Sequence, residues 1–205
     1  RLNRGIVFVE HGRFADAIAD FDFALARDAS LVYGYLERGS AMLSLNRAAQ
    51  ARAQWALARK ADPALIWPDW YEGLQDFIEG HYGEGSAGFD GVAKAEPGFG
   101  PAPVWARLAR GRAKLPIVDA PAEGDHWPVP LYRLQQGTLS LDQVLAIAKQ
   151  DTVTGDPRRT GEALFVAPEM AAIRGRRADA RRLARRAVDV KAPRHAWKIA
   201  AERLP

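Results

Sequence analysis

A 34-residue period governs the first half of this chain. Gly5, Gly39 and Gly73 form one column, Phe21, Trp55 and Phe89 a second, and Ala24, Ala58 and Val92 a third. Ala17, Ala51 and Gly85 make a fourth column, and Ala29, Pro63 and Pro97 a fifth. Self-similarity at such a period means units that cannot bury their apolar faces alone and must stack on one another. Within each unit the order of small residue, aromatic, small residue and proline fits two amphipathic helices joined by a tight turn, with the proline closing the second helix.

These columns resemble the tetratricopeptide repeat. The resemblance runs over residues 1 to 97 and implies an all-α fold, an α-α superhelix. Its three units span about 1–31, 32–65 and 66–99. A small residue in the first helix lets the second approach closely, and small residues in the second seat the next unit. Gly12 with Phe14, Asn46, and Gly80 with Tyr82 fall where the family turns between helices, and Gly and Asn accept the left-handed backbone needed there. Residue 1 stands at the fourth position of its unit, so upstream residues are expected to complete the first helix.

A further step of 34 lands on Arg107, Glu123, His126 and Leu131, and the pattern fails. Its first helix survives in Pro103–Lys114, which puts the repeat region at 1–115. A proline-rich connection at 116–130 follows. The region 131–205 then reads as a short helix (LYRLQQG), a helix SLDQVLAIAKQ with Ser140 as N-cap, and a polar loop DTVTGDPRR. Gly175, Ala180, Ala184 and Ala187 restore the repeat offsets, which makes 162–190 a degenerate last unit. Pro193 opens a final helix whose Ala196, Trp197, Ala200 and Ala201 are expected to cap the open end of the stack. Repeats followed by a Trp127-Pro128 segment, short helices and a late degenerate unit resemble the bacterial periplasmic adaptor family called new lipoprotein I. That layout, with a chain opening on Arg1 and not Met, favours an exported or periplasmic location over a cytoplasmic one. Nothing in the opening stretch has the zones of a signal peptide.

Several chemistries lack their residues. The chain has no cysteine, which removes disulfides, thiolate zinc sites and cysteine nucleophiles. GEGSAG at 83–88 is formally G-x-G-x-x-G, yet it follows a repeat helix, and residues 98–117 contain no acid to hold a ribose. Gly85 is better explained as the small-residue column. His11, His81, His126 and His195 are far apart and show no ligand spacing. Asp125-His126 is an adjacent acid–histidine pair, and adjacent residues do not face each other on a helix. No catalytic residue, metal site or cofactor is therefore expected.

Charge is unevenly spread. Residues 1–150 carry 16 Lys plus Arg against 18 acids, and residues 151–205 carry 13 against 7. Seven arginines lie between 174 and 186, with Asp179 the only acid among them. Helical spacing puts Ala180, Leu183, Ala184, Ala187 and Val188 on one face and Arg177, Arg181, Arg182, Arg185 and Arg186 on the basic side. That side could contact nucleic acid or an anionic membrane. No aromatic is interleaved for base stacking, so nucleic acid is not the expected partner.

The family's groove lies along the first helix of each unit. Carried onto this chain, it gives Ile6 and Val9 from the first unit and Tyr33, Leu36, Glu37 and Ser40 from the second. The third unit supplies Trp67, Trp70, Tyr71, Leu74 and Phe77, and Trp105 and Leu108 continue the stripe. Leu2, Ile6, Leu36, Ser40 and Trp70 occupy the sites where some members clamp a terminal carboxylate, and none is cationic. The expected function is a non-enzymatic adaptor or scaffold that binds a peptide or partner helix in this groove. Polyanion binding by the arginine face is the alternative. Two arrangements stay open: the aromatic stripe is exposed for binding, or the C-terminal helices fold back and bury it. Self-association is also left open.

Overall fold

Three glycine–aromatic contacts explain the strongest columns. In the computed structural model, a Cβ placed on Gly5 would stand 2.6 Å from Phe21 Cε1, and one on Gly73 would stand 3.0 Å from Phe89 Cε1. At Gly39 it would overlap the Trp55 indole. Phe21, Trp55 and Phe89 are fully buried. Each ring lies directly against the backbone of the preceding helix, which only glycine permits.

The structure describes residues 1–118, 127–150, 157–188 and 200, and these contain helices and no strands. The first seven helices are α1 (Leu2–Glu10), α2 (Phe14–Leu25), α3 (Val32–Ser44), α4 (Ala48–Ala61), α5 (Trp67–Glu79), α6 (Tyr82–Ala95) and α7 (Pro101–Ala113). Each packs on its neighbours in the chain. The reversals at α1–α2, α3–α4 and α5–α6 are made by Gly12, Asn46 and Gly80, with φ of 72°, 60° and 89°. Of the helices adjacent in the chain among these seven, α4 and α5 pack least closely. That junction is crossed by two arginines: Arg52 Nη2 reaches Asp76 at 2.7 Å and Glu79 at 2.9 Å, and Arg59 Nη2 reaches Asp69 at 2.7 Å and Glu72 at 2.8 Å.

The second part contains α8 (Val129–Gln136), α9 (Leu141–Gln150), α10 (Pro157–Ile173) and α11 (Arg177–Val188). α8 takes in the last two residues of the expected connection, and α10 takes in the last residues of the expected polar loop, with Pro157 at its start. Ser140 and Gln143 form a capping box: Ser140 N–H donates to Gln143 Oε1 at 2.8 Å, and Gln143 N–H donates to Ser140 Oγ at 3.3 Å. Gly175, with φ of 74°, turns α10 into α11, and Ala180, Ala184 and Ala187 are buried.

α10 packs against α7, α8 and α9. Its approach to α7 is close, since a Cβ on Gly111 would meet Ile173 Cδ1 at 2.8 Å. Tyr132 Oη donates to the Gly100 carbonyl at 2.9 Å and Gln135 Nε2 to the Val104 carbonyl at 3.1 Å, tying α8 to α7. The expected final helix and the Asp125-His126 pair lie outside the described residues, apart from Ala200, which is buried. No helix among the described residues is long and apolar enough to cross a membrane.

Candidate functional site

The expected groove divides into a covered half and an open half. Phe77, Trp105 and Phe165 form a continuous aromatic cluster: Phe77 meets Trp105 edge-on at 5.2 Å, and Phe165 of α10 stacks on Trp105 at 5.0 Å. Phe77 is 3% exposed and Trp105 7%, and Leu74 and Leu108 are buried with them. These four residues are core and not groove surface. The C-terminal helices fold back over them because a stripe this apolar loses more by staying wet than by ordering a cover. Leu36, also expected in the groove, is 1% exposed, and its carbonyl accepts from Trp55 Nε1 at 3.4 Å.

Trp67 and Trp70 are half-buried. Both set their rings edge-on against Phe99, at 5.1 Å and 4.9 Å, so neither projects freely. Tyr71 stacks on Trp55 at 5.6 Å, its plane 11° from parallel. Its hydroxyl donates to Glu37 Oε1 at 3.5 Å. Burial pushes the Glu37 carboxyl above its ordinary value, the nearby Glu10 adds to this, and the Tyr71 hydroxyl opposes it. Ser40 is half-buried beside them, and Tyr33 at the start of α3 is 56% exposed. The open half therefore carries an aromatic rim, Tyr33, and an acidic patch, Glu10 with Glu37.

On α11, Arg177, Arg181, Arg182, Arg185 and Arg186 are all exposed. Asp179 pairs with Arg182 at 3.3 Å and with Arg176 at 4.0 Å. An open cleft of about 310 Å³ lies beside this helix, with Leu134, Leu141 and Met170 in its lining and Arg174, Arg176, Arg182 and Arg186 around it. Asp142 supplies an acidic group to the lining.

The glycine-rich GEGSAG segment serves helix packing. A Cβ on Gly85 would lie 3.1 Å from the Gly73 carbonyl oxygen, and one on Gly88 would lie 3.0 Å from that of Asp69. Both glycines let α6 press on the α5 backbone. His11 Nδ1 donates to the Val7 carbonyl at 2.7 Å and finishes α1.

Two groupings escaped sequence reasoning. Asp76, Glu79 and His81 converge so that one ligand atom from each lies within 4.8 Å of the others. Arg52 already contacts both carboxylates there, so the guanidinium stands where a cation would compete. The second grouping is Glu169 of α10, Arg112 of α7 and Tyr82 of α6, which meet inside the fold. Glu169 Oε2 is 3.5 Å from Arg112 Nε, and Arg112 Nη2 donates to Tyr82 Oη at 2.6 Å. Burial raises the Glu169 carboxyl to about 7 against the opposing pull of Arg112. The three residues are far apart in sequence and share no pattern that would pair them.

No protein-family model matches this chain, and no match is found among the curated proteins.

Proposed function

We propose that this protein is a non-enzymatic adaptor of tetratricopeptide type, an α-α superhelix that holds a peptide or partner helix on the faces of α1 and α3. The observation that carries this reading is the exposure of Tyr33 on a helix whose repeat counterparts further along the chain are covered by α10. The glycine–aromatic contacts at the 34-residue spacing support the repeat assignment. An exposed tyrosine is a typical binding anchor, offering a large rigid surface with a polar end. Glu10 and Glu37 give the face an acidic character, which suits a partner segment bearing Lys or Arg.

A peptide library displayed on phage and selected on the full chain tests this. Basic sequences with an apolar anchor should be enriched, and Tyr33→Ala should weaken them about 10-fold while thermal unfolding stays unchanged. Selected peptides that bind the variant as tightly as the parent would place the working surface elsewhere.

The arginine cleft favours a second reading, polyanion binding along α11. Affinity for heparin should then fall steeply with added salt, and a flat response removes the reading.

A further inference from the structure

The arginines of α11 fall into two sets. Arg182 and Arg186, one helical turn apart, line the cleft of about 310 Å³, and Arg174 and Arg176 from the turn between α10 and α11 line it with them. Arg177, Arg181 and Arg185 are equally exposed but stand outside that lining. Arg174 is held in place, its Nη2 donating to the Gln135 carbonyl at 2.9 Å, and the other N–H groups of its guanidinium are uncommitted. Among the described residues, Arg186 makes no hydrogen bond or ion pair.

The rest of the wall differs in kind. Leu134 of α8, Leu141 of α9, Met170 of α10 and Leu183 of α11 line the same space, and all four are only half-buried. The cleft is thus the place where four helices meet, and it pairs wet apolar surface with guanidinium groups. Its charge is not balanced from within. Four guanidinium groups line it, whereas two carboxylates stand near: Asp142 in the lining, and Asp179, which pairs with Arg182 at 3.3 Å and with Arg176 at 4.0 Å. Two positive charges are left over, and a concave wall focuses their potential into the space it encloses.

We propose that this cleft binds a small organic phosphate monoester, its phosphoryl oxygens among Arg174, Arg182 and Arg186 and its apolar body against Leu141, Met170 and Leu183. The proposal rests on the reading of α11 as an anion-binding helix and narrows it from polyanions at large to one small molecule. Charge and shape carry the choice. A phosphate monoester bears about −1.5 to −2 charges near neutral pH, which matches the surplus on the wall, whereas a single carboxylate leaves a guanidinium uncompensated. Guanidinium forks suit phosphate oxygens, several of which can be shared between arginines. A chain polyanion such as heparin has no apolar group to cover the leucines, and Met170 can adapt its side chain to one. The volume stands at the low end of the roughly 300–1,000 Å³ of small-molecule sites, which limits the apolar body to about one ring or a short alkyl chain.

Phenyl phosphate, inorganic phosphate and benzyl alcohol, titrated calorimetrically into the full chain near neutral pH, test this. Phenyl phosphate should bind saturably and at least about 10-fold more tightly than inorganic phosphate, and benzyl alcohol should give no saturable heat. Arg182→Gln combined with Arg186→Gln should weaken phenyl phosphate at least about 10-fold. Arg181→Gln combined with Arg185→Gln removes the same charge from the same helix outside the cleft, and it should change the affinity less than about 3-fold. All four positions are exposed and Gln is a good helix former, so both double variants keep the fold. No saturable heat from phenyl phosphate, equal affinity for the two phosphates, or equal losses in the two double variants would each overturn the proposal. Heparin titrated in parallel separates the two readings: steep salt dependence without phenyl phosphate binding keeps the polyanion reading and ends this one. A flat heparin response with phenyl phosphate binding as stated does the reverse.

Discussion

Trp105 and Phe165 lie stacked, ring centroids 5.0 Å apart and planes 28° from parallel, although one belongs to the end of the repeat region and the other to α10. Together with the approach of Phe165 to Phe77 at 6.0 Å, this contact closes the covered half of the expected groove. A double-mutant cycle over Trp105→Leu and Phe165→Leu should return a coupling of about 0.5–1.5 kcal/mol in denaturant unfolding. Additive losses would mean that the two helices pack independently.

Phe77 is the sharper test of where surface ends and core begins. On the sequence alone, Phe77→Ala reads as a groove substitution that spares the fold. Its ring is in fact packed on Tyr82, Trp105 and Phe165, so the change should cost about 3–5 kcal/mol of stability. Tyr33→Ala, at an exposed position, should stay within about 0.5 kcal/mol of the parent. Equal stabilities for the two variants would contradict the covered arrangement.

Gly39 and Gly91 make a matched pair on two helices. Alanine at Gly39 forces a Cβ into the Trp55 indole, and the net effect should be a loss of about 1–3 kcal/mol. Alanine at Gly91, within α6, meets nothing within 4 Å and should gain about 0.5–1 kcal/mol. Thermal unfolding midpoints that shift in the same direction would refute the close-contact explanation of the glycine column.

The Glu169 carboxyl is raised from 4.5 to about 7, chiefly by burial, with Arg112 opposing. Arg112 of α7 and Glu79 of α5 are the charged groups that share its cavity wall, and Tyr82 of α6 holds Arg112 in place. A folded-state value above the unfolded one means that the folded protein binds the extra proton. Its stabilising effect is thus complete below pH 4.5 and is lost as pH rises through 7, a span of about 3 kcal/mol. Glu169→Gln cannot titrate there, so its stability relative to the parent should improve across that window. Parallel curves in urea unfolding from pH 4.5 to 7.5 would show that folding does not raise the Glu169 carboxyl.

The three helix pairs of α1–α6 were written in local terms, which is why they were legible. Gly12, Asn46 and Gly80 mark reversals that demand a left-handed backbone, and the Gly39–Trp55 type of contact fixes two columns at once. The fate of Trp105 was not legible. A stripe of apolar residues on one helix face has the same spacing whether a partner or the chain's own α10 covers it, so periodicity cannot separate the two. Glu169 and Arg112 were invisible for a related reason: their pairing depends on how α10 docks on α7, and no short-range signal encodes that.

The junction between α4 and α5 differs in kind from the contacts within each helix pair. Glycine and ring lock α3 to α4 and α5 to α6 by shape, whereas α4 meets α5 thinly and is fastened there by the Trp55–Tyr71 stack together with Arg52 and Arg59, each about two-fifths exposed and each holding two carboxylates. Steric locks are indifferent to the ions in solution, while exposed ion pairs weaken as salt screens them. The α4–α5 junction is therefore expected to loosen as ionic strength rises, and any bending there changes the angle at which α3 and α5 present themselves together.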